Sequence, residues 1–331
     1  MARARISRSR PSASPSSNSA PPTPSEGSAS APEPAPKGAE GSRTTLRIVA
    51  GKGGVGRTTV TAALATRAAA GGRRVLAVDA LGTGDLDRLV ADWSTPPAFE
   101  TLRLTTGEAL DQYLKIYLRL PIGPRRLGPL ARIFDYVSAA APGVREILVI
   151  GKIGWEVRRG VWDEIVVDGP ATGHVVELLD APRTMAELVP SGPLAEQTGW
   201  LRAILASPRT GVIVVSSPDE LSVTETGELV DRLTADTETG VDLLVANRMP
   251  PSLGPAGRRE AAERAGGDGL TAGLAALALD RHEVAETGLE RLRAIRGGRS
   301  LPVATADDDP DDPVAAVVAG LAAVRDDVWT P

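Results

Sequence analysis

Leu46-Arg47-Ile48-Val49-Ala50-Gly51-Lys52-Gly53-Gly54-Val55-Gly56-Arg57-Thr58-Thr59 is a short apolar run, a glycine-rich turn and the start of a helical pattern, in that order. Leu46 to Ala50 reads as a buried strand. Residues 57–70 read as a helix, with Val60, Ala63, Leu64 and Ala68 at helical spacing, stopped by Gly71-Gly72. The turn fits the frame G-x-x-x-x-G-K-[ST] at Gly51, Gly56 and Thr58, but arginine stands at the lysine position. A strand-to-helix turn of this kind aims backbone N–H groups at one point, and the helix dipole adds to them. The result is an anion site suited to a triphosphate. Gly51, Gly53, Gly54, Val55, Gly56, Arg57, Thr58 and Thr59 are therefore expected to bind ATP, with the Thr58 hydroxyl on Mg2+ and Thr59 near the α-phosphate.

Outward from the loop, short unbroken Val/Ile/Leu runs alternate with longer helical stretches. Val75–Val78, Ile165–Val167, Val212–Val215 and Leu243–Ala246 read as further strands, and residues 219–235 and 280–296 as helices. Runs apolar on both faces suit strands covered on both sides, so the expected fold is α/β: a doubly wound, mostly parallel sheet. Residues 107–160 and 174–208 are longer than crossovers need and show helical spacing, as at Leu110, Tyr113, Leu114, Tyr117 and Leu118. They are expected to form a helical subdomain inserted in the domain 44–331.

Composition narrows the function. The 331 residues are 42% apolar and 24% charged, ordinary for a globular protein, and the net charge of −5 gives no reason to expect nucleic acid as a partner. There is no cysteine, which excludes disulfides, cysteine-held iron–sulfur clusters and thiolate metal sites. No apolar run approaches the length of a transmembrane helix. Residues 1–43 are rich in Ser, Pro and Ala, with a basic tip at Arg3, Arg5, Arg8 and Arg10. They read as a disordered tail without the apolar stretch of a signal peptide, so a cytoplasmic location is expected.

Three segments together resemble a known family. The loop Gly51-Lys52-Gly53-Gly54-Val55-Gly56 is similar to those of arsenite-pump and tail-anchored-protein-targeting ATPases, of partition and septum-site ATPases, and of the nitrogenase iron protein. The last needs cluster cysteines that this chain lacks. The segment Ile165-Val166-Val167-Asp168-Gly169-Pro170-Ala171-Thr172-Gly173-His174 resembles the D-x-A-P-T-G-H segment of the arsenite-pump-like family, with Pro170-Ala171 in place of Ala-Pro. The strand Leu243 to Ala246, followed by Asn247, resembles the family's adenine-binding segment, and Leu301-Pro302 is a further candidate to close the base pocket. The helix through Val144-Arg145-Glu146-Ile147-Leu148 resembles a bacterial branch that occurs as paired unlike subunits.

The resemblance implies that Asp168 holds Mg2+ with Thr58, and that Thr172, Gly173 and His174 sense the γ-phosphate. It implies that Asn247 contacts adenine, and that Lys52 reaches the partner's nucleotide in a homodimer or heterodimer. It also implies a hydrophobic client or membrane-protein partner. Two positions depart from the pattern. Arg57 keeps the charge of the loop lysine, but its fork is wider and planar. The acid that positions the attacking water falls at Leu81, leaving Asp79 as a shifted candidate and Asp85 as a remote one. Lys52, Arg57 and Asp79 are thus the candidate catalytic residues of an ATPase. Normal hydrolysis, reduced hydrolysis and a nucleotide-holding regulatory role beside a complete partner all stay open.

Overall fold

The computed structural model describes residues 43–93, 95–105, 144–188, 191–297 and 301–324. In chain order the elements are β1 (Thr45–Gly51), α1 (Arg57–Ala70), β2 (Val75–Asp79), α2 (Asp85–Ala91), β3 (Glu100–Arg103) and α3 (Val144–Arg159). Then follow β4 (Glu164–Ala171), α4 (Thr172–Leu188), α5 (Pro193–Leu205), β5 (Thr210–Ser216) and α6 (Glu220–Asp236). The last are β6 (Gly240–Met249), α7 (Pro255–Ala265), α8 (Leu270–Ala294), β7 (Val303–Asp307) and α9 (Pro313–Ala322). The seven strands form one sheet in the order β3-β2-β4-β1-β5-β6-β7, every pairing parallel, as the unbroken apolar runs require.

Period-two alternation sorts the core into two layers. Leu46, Ile48 and Ala50 of β1 join the apolar layer formed with α3, α4, α5 and α6. Val49 faces the other way, into the layer formed with α1, α2 and α9. The helix after β1 therefore covers one face and the helix after β4 the other, although β1 and β4 are neighbours. That is a topological switch point, where the crossovers diverge and leave a crevice at the carboxyl ends of the strands. It fixes the place of the glycine loop.

Within the segments expected as an insert, α3, α4 and α5 bury Ile150, Ile153, Val175, Leu178 and Leu201 in the same apolar layer as the strands. The described part of those segments thus covers one face of the sheet. The pattern at Leu110–Leu118 and the tail 1–42 lie outside the described residues. Four elements carried no clear pattern. Strand β3 is a largely exposed edge strand with polar residues, β7 alternates buried and half-buried positions, α2 is short, and α7 buries no residue. Helix α8 begins at Leu270, well before the expected residue 280, with Leu270, Leu274 and Leu277 exposed on its first turns. Among the described residues no helix is long and apolar enough to cross a membrane.

One buried polar pair disciplines the register. Arg47 on β1 is 3% exposed and donates to the Asp242 carboxylate of β6, reaching across the intervening strand β5. A register shift after Val212 leaves Asp242 as an extra residue in β6. Gly211, paired with Arg47, makes room for it, since a Cβ there would fall 1.7 Å from the Asp242 carboxylate. Gly211→Ala is expected to push Asp242 off Arg47 and to cost about 2–3 kcal/mol, read as a lower urea midpoint.

Candidate functional site

The glycine loop leaves β1 at the centre of the sheet and has little room. Gly51 has φ of 148°, and a Cβ on it would lie 2.2 Å from the Val215 carbonyl oxygen of β5. Gly56 has φ of 94°, and a Cβ there would lie 2.3 Å from the Asn247 amide nitrogen. Glycine is therefore required at both ends of the loop. At Gly53 and Gly54, by contrast, an added Cβ would meet nothing within 4 Å, so this part of the backbone lies open to a ligand. Helix α1 starts at Arg57 and has no side-chain cap among the described residues, so its first-turn N–H groups remain available to an anion. Thr59, half-buried in that turn, follows Thr58.

Three predicted residues meet at the mouth of the crevice. The Thr58 hydroxyl donates to Asp168 Oδ2 at 2.6 Å, and the Arg57 guanidinium donates to the Gly169 carbonyl oxygen. Asp168 is 5% exposed, paired with Val49 on one side and Asp79 on the other. Burial pushes its carboxyl up to about 6; the Thr58 hydrogen bond and the Arg57 charge offset part of this, while the Asp79 and Asp85 charges add to it. A hydroxyl and a carboxylate are hard oxygen donors of the kind Mg2+ takes. Among the described residues no group of three or more His, Cys, Asp or Glu could hold a metal. A cation here would have two protein donors, with phosphates and water completing its shell, which is the usual habit of Mg2+.

The other predicted residues are engaged elsewhere. Asp79 is 2% exposed, and its carboxylate accepts from the backbone N–H groups of Leu81 (3.1 Å), Gly82 (2.8 Å) and Gly84 (2.7 Å). It caps the turn after β2. Asp85 is tied to Thr83 and Arg88 at the surface, and the Thr83 hydrogen bond chiefly holds its carboxyl low. The Lys52 ammonium lies 3.1 Å from Glu225 Oε1 on α6. Thr172, Gly173 and His174 form the first turn of α4, where the exposed His174 ring lies 3.1 Å from Glu177.

The residues expected at the base side make contacts of their own. Strand β6 continues past Asn247 to Met249, and the buried Asn247 amide donates to the Val55 carbonyl oxygen at 2.8 Å, so here it braces the loop from beneath. Leu301 and Pro302 precede β7, with the Pro302 carbonyl accepting from Leu244 N; Val303 pairs with Leu244, Leu244 with Val214 and Val214 with Ala50, so the two residues lie just below the level of the loop, three strands away from β1.

Beside the loop, between the ends of β2 and β4, is a pocket of about 240 Å3. Arg57, Arg145 and His174 line it together with Leu81, Val149 and Leu178. The local sequence pattern did not mark Arg145 and Glu225 as site residues. Each sits on a helix far along the chain, and only the crossovers bring it to the loop.

A parallel sheet with a glycine loop at its switch point, a loop-flanking threonine and a buried acid on the neighbouring strand defines a P-loop nucleotide-binding fold. Residues 46–246 match the model of the CobQ/CobB/MinD/ParA nucleotide binding domain, and the chain belongs to that family. It is 33% identical over 256 residues to the ATPase BagA of Mycobacterium tuberculosis, covering 70% of this chain and 74% of that protein. It is 27% identical over 151 residues to "Putative arsenical pump-driving ATPase 2" of Aquifex aeolicus, covering 42% of this chain and 50% of that one.

Asp79→Ala strips the acceptor from three backbone donors. It is expected to cost about 3 kcal/mol in urea unfolding, a loss that a residue acting only on the attacking water would not show.

Proposed function

We propose that this chain is an arsenite-pump-like ATPase that binds MgATP at the Gly51–Thr59 loop and works as a nucleotide-switched dimer with slowed hydrolysis. The contact between Thr58 and the buried Asp168 carries this reading, because it puts two magnesium-type donors beside the open loop backbone. Loop N–H groups and α1 would hold the phosphates, and Arg57 would leave the Gly169 carbonyl to add its charge. Bound Mg2+ would neutralise phosphate charge, held by Thr58 and Asp168. Lys52 would exchange its ion pair with Glu225 for the partner's phosphates. The exposed leucines of α8 offer apolar surface to a hydrophobic client or membrane-protein partner.

Slowed hydrolysis rests on two features. The guanidinium of Arg57 is wider than an ammonium, and misplacing a transition-state contact by about 1 Å costs on the order of 100-fold. The turn after β2 presents the Leu81 side chain to the pocket, and Asp79 is spent on the turn. The same features favour a second reading, a nucleotide-holding regulatory subunit of a heterodimer whose other subunit is catalytically complete.

ATP turnover by the purified chain separates the two. The first reading expects slow turnover that Asp168→Ala lowers roughly 100-fold and Arg57→Lys raises. Nucleotide binding with no turnover in the wild type or in Arg57→Lys would favour the regulatory subunit.

A further inference from the structure

Two arginines, Arg57 and Arg145, line the pocket between the ends of β2 and β4. Arg145, on the first turn of α3, is exposed, and its Nη2 donates to the Leu81 carbonyl oxygen at 3.3 Å. Arg57 makes the matching contact on the other wall, donating to the carbonyl of Gly169 in β4. Among the described residues neither guanidinium forms a salt bridge, although the Arg57 charge acts on the nearby Asp168 carboxyl. Other arginines of this chain have found acids: Arg47 with Asp242, Arg73 with Glu164, Arg202 with Glu238 and Arg258 with Glu286. The carboxylate lining the pocket, Glu146, already has an interaction of its own.

A guanidinium held by a lone neutral carbonyl is easily recruited. Charge-assisted hydrogen bonds to a phosphate are roughly twice as strong as neutral ones, and the planar fork can make two at once. The pocket of about 240 Å3 has the volume of roughly eight water molecules, enough for a tetrahedral phosphoryl group and its hydration. Arg57 belongs to both the loop and the pocket, so the pocket adjoins the Thr58–Asp168 end of the loop.

We infer that Arg145 is a second phosphate-binding arginine supplied by the chain itself: it contacts the terminal phosphoryl group of a bound nucleoside triphosphate, opposite Arg57. Its guanidinium then leaves the Leu81 carbonyl. The contact distinguishes triphosphate from diphosphate, since only the former reaches the pocket. It also ties α3 to the nucleotide state, because Arg145 stands on the turn of that helix that lines the pocket. This inference rests on the nucleotide-binding reading above.

The test is equilibrium binding of ATPγS and of ADP, each with Mg2+, to the full chain and to Arg145→Ala and Arg145→Lys. Thermal unfolding serves as the check on folding. The expected result is an affinity for ATPγS weakened about 10-fold or more in Arg145→Ala, with ADP affinity within about two-fold of wild type, and partial recovery in Arg145→Lys. Unchanged binding of both nucleotides, or an equal loss for both, overturns the role of Arg145 while leaving the loop intact as a nucleotide site. A wild-type chain that binds neither nucleotide overturns the underlying reading and this inference with it.

Discussion

The end of β1 has to turn where there is no room for a side chain. The strand is the central one of the sheet, buried on both faces, and it stops against the Val215 carbonyl of its neighbour. Asn247 closes the space at the other end of the loop. Glycine at positions 51 and 56 meets both constraints, and Gly53 and Gly54 between them leave the backbone there open. The open backbone, the uncapped start of α1 and the approach of Thr58 to Asp168 all follow from that fit. The site is thus a product of sheet order, since only the adjacency of β1 and β4 brings residues 58 and 168 together.

Much of this was legible in the sequence because the buried strands carry an unmixed signal. Val212–Val215 and Ile165–Val167 contain no polar residue, and a strand buried on both faces needs none. Strand β3 escaped because an edge strand need bury little, and Glu100 to Arg103 read as polar loop. At the site, the loop was legible as a local motif, whereas the contacts that Asn247, Asp79 and Arg145 make were not. Each has a role fixed by partners elsewhere: a carbonyl 192 residues away for Asn247, a turn whose backbone direction the sequence does not display for Asp79, and the end of β2 for Arg145. The pairing of Arg47 with Asp242 was hidden for the same reason, as it depends on a register shift in another strand.

The two departures from the loop's usual chemistry now have a physical setting. Arg57 rests on a backbone carbonyl, and Leu81 gives the pocket an apolar wall where an acid would order water. Burial, with a smaller push from the Asp79 charge, raises the Asp168 carboxyl to about 6 even though the Thr58 hydrogen bond and the Arg57 charge favour the carboxylate.

The most direct test of the account is calorimetric titration of the full chain with ATP, once with Mg2+ and once with excess chelator. The account predicts saturable binding of one nucleotide per chain, weakened at least about 10-fold by the chelator, because Thr58 and Asp168 then lose the ion that joins them to the phosphates. Heats that never saturate, or an affinity indifferent to Mg2+, would contradict it.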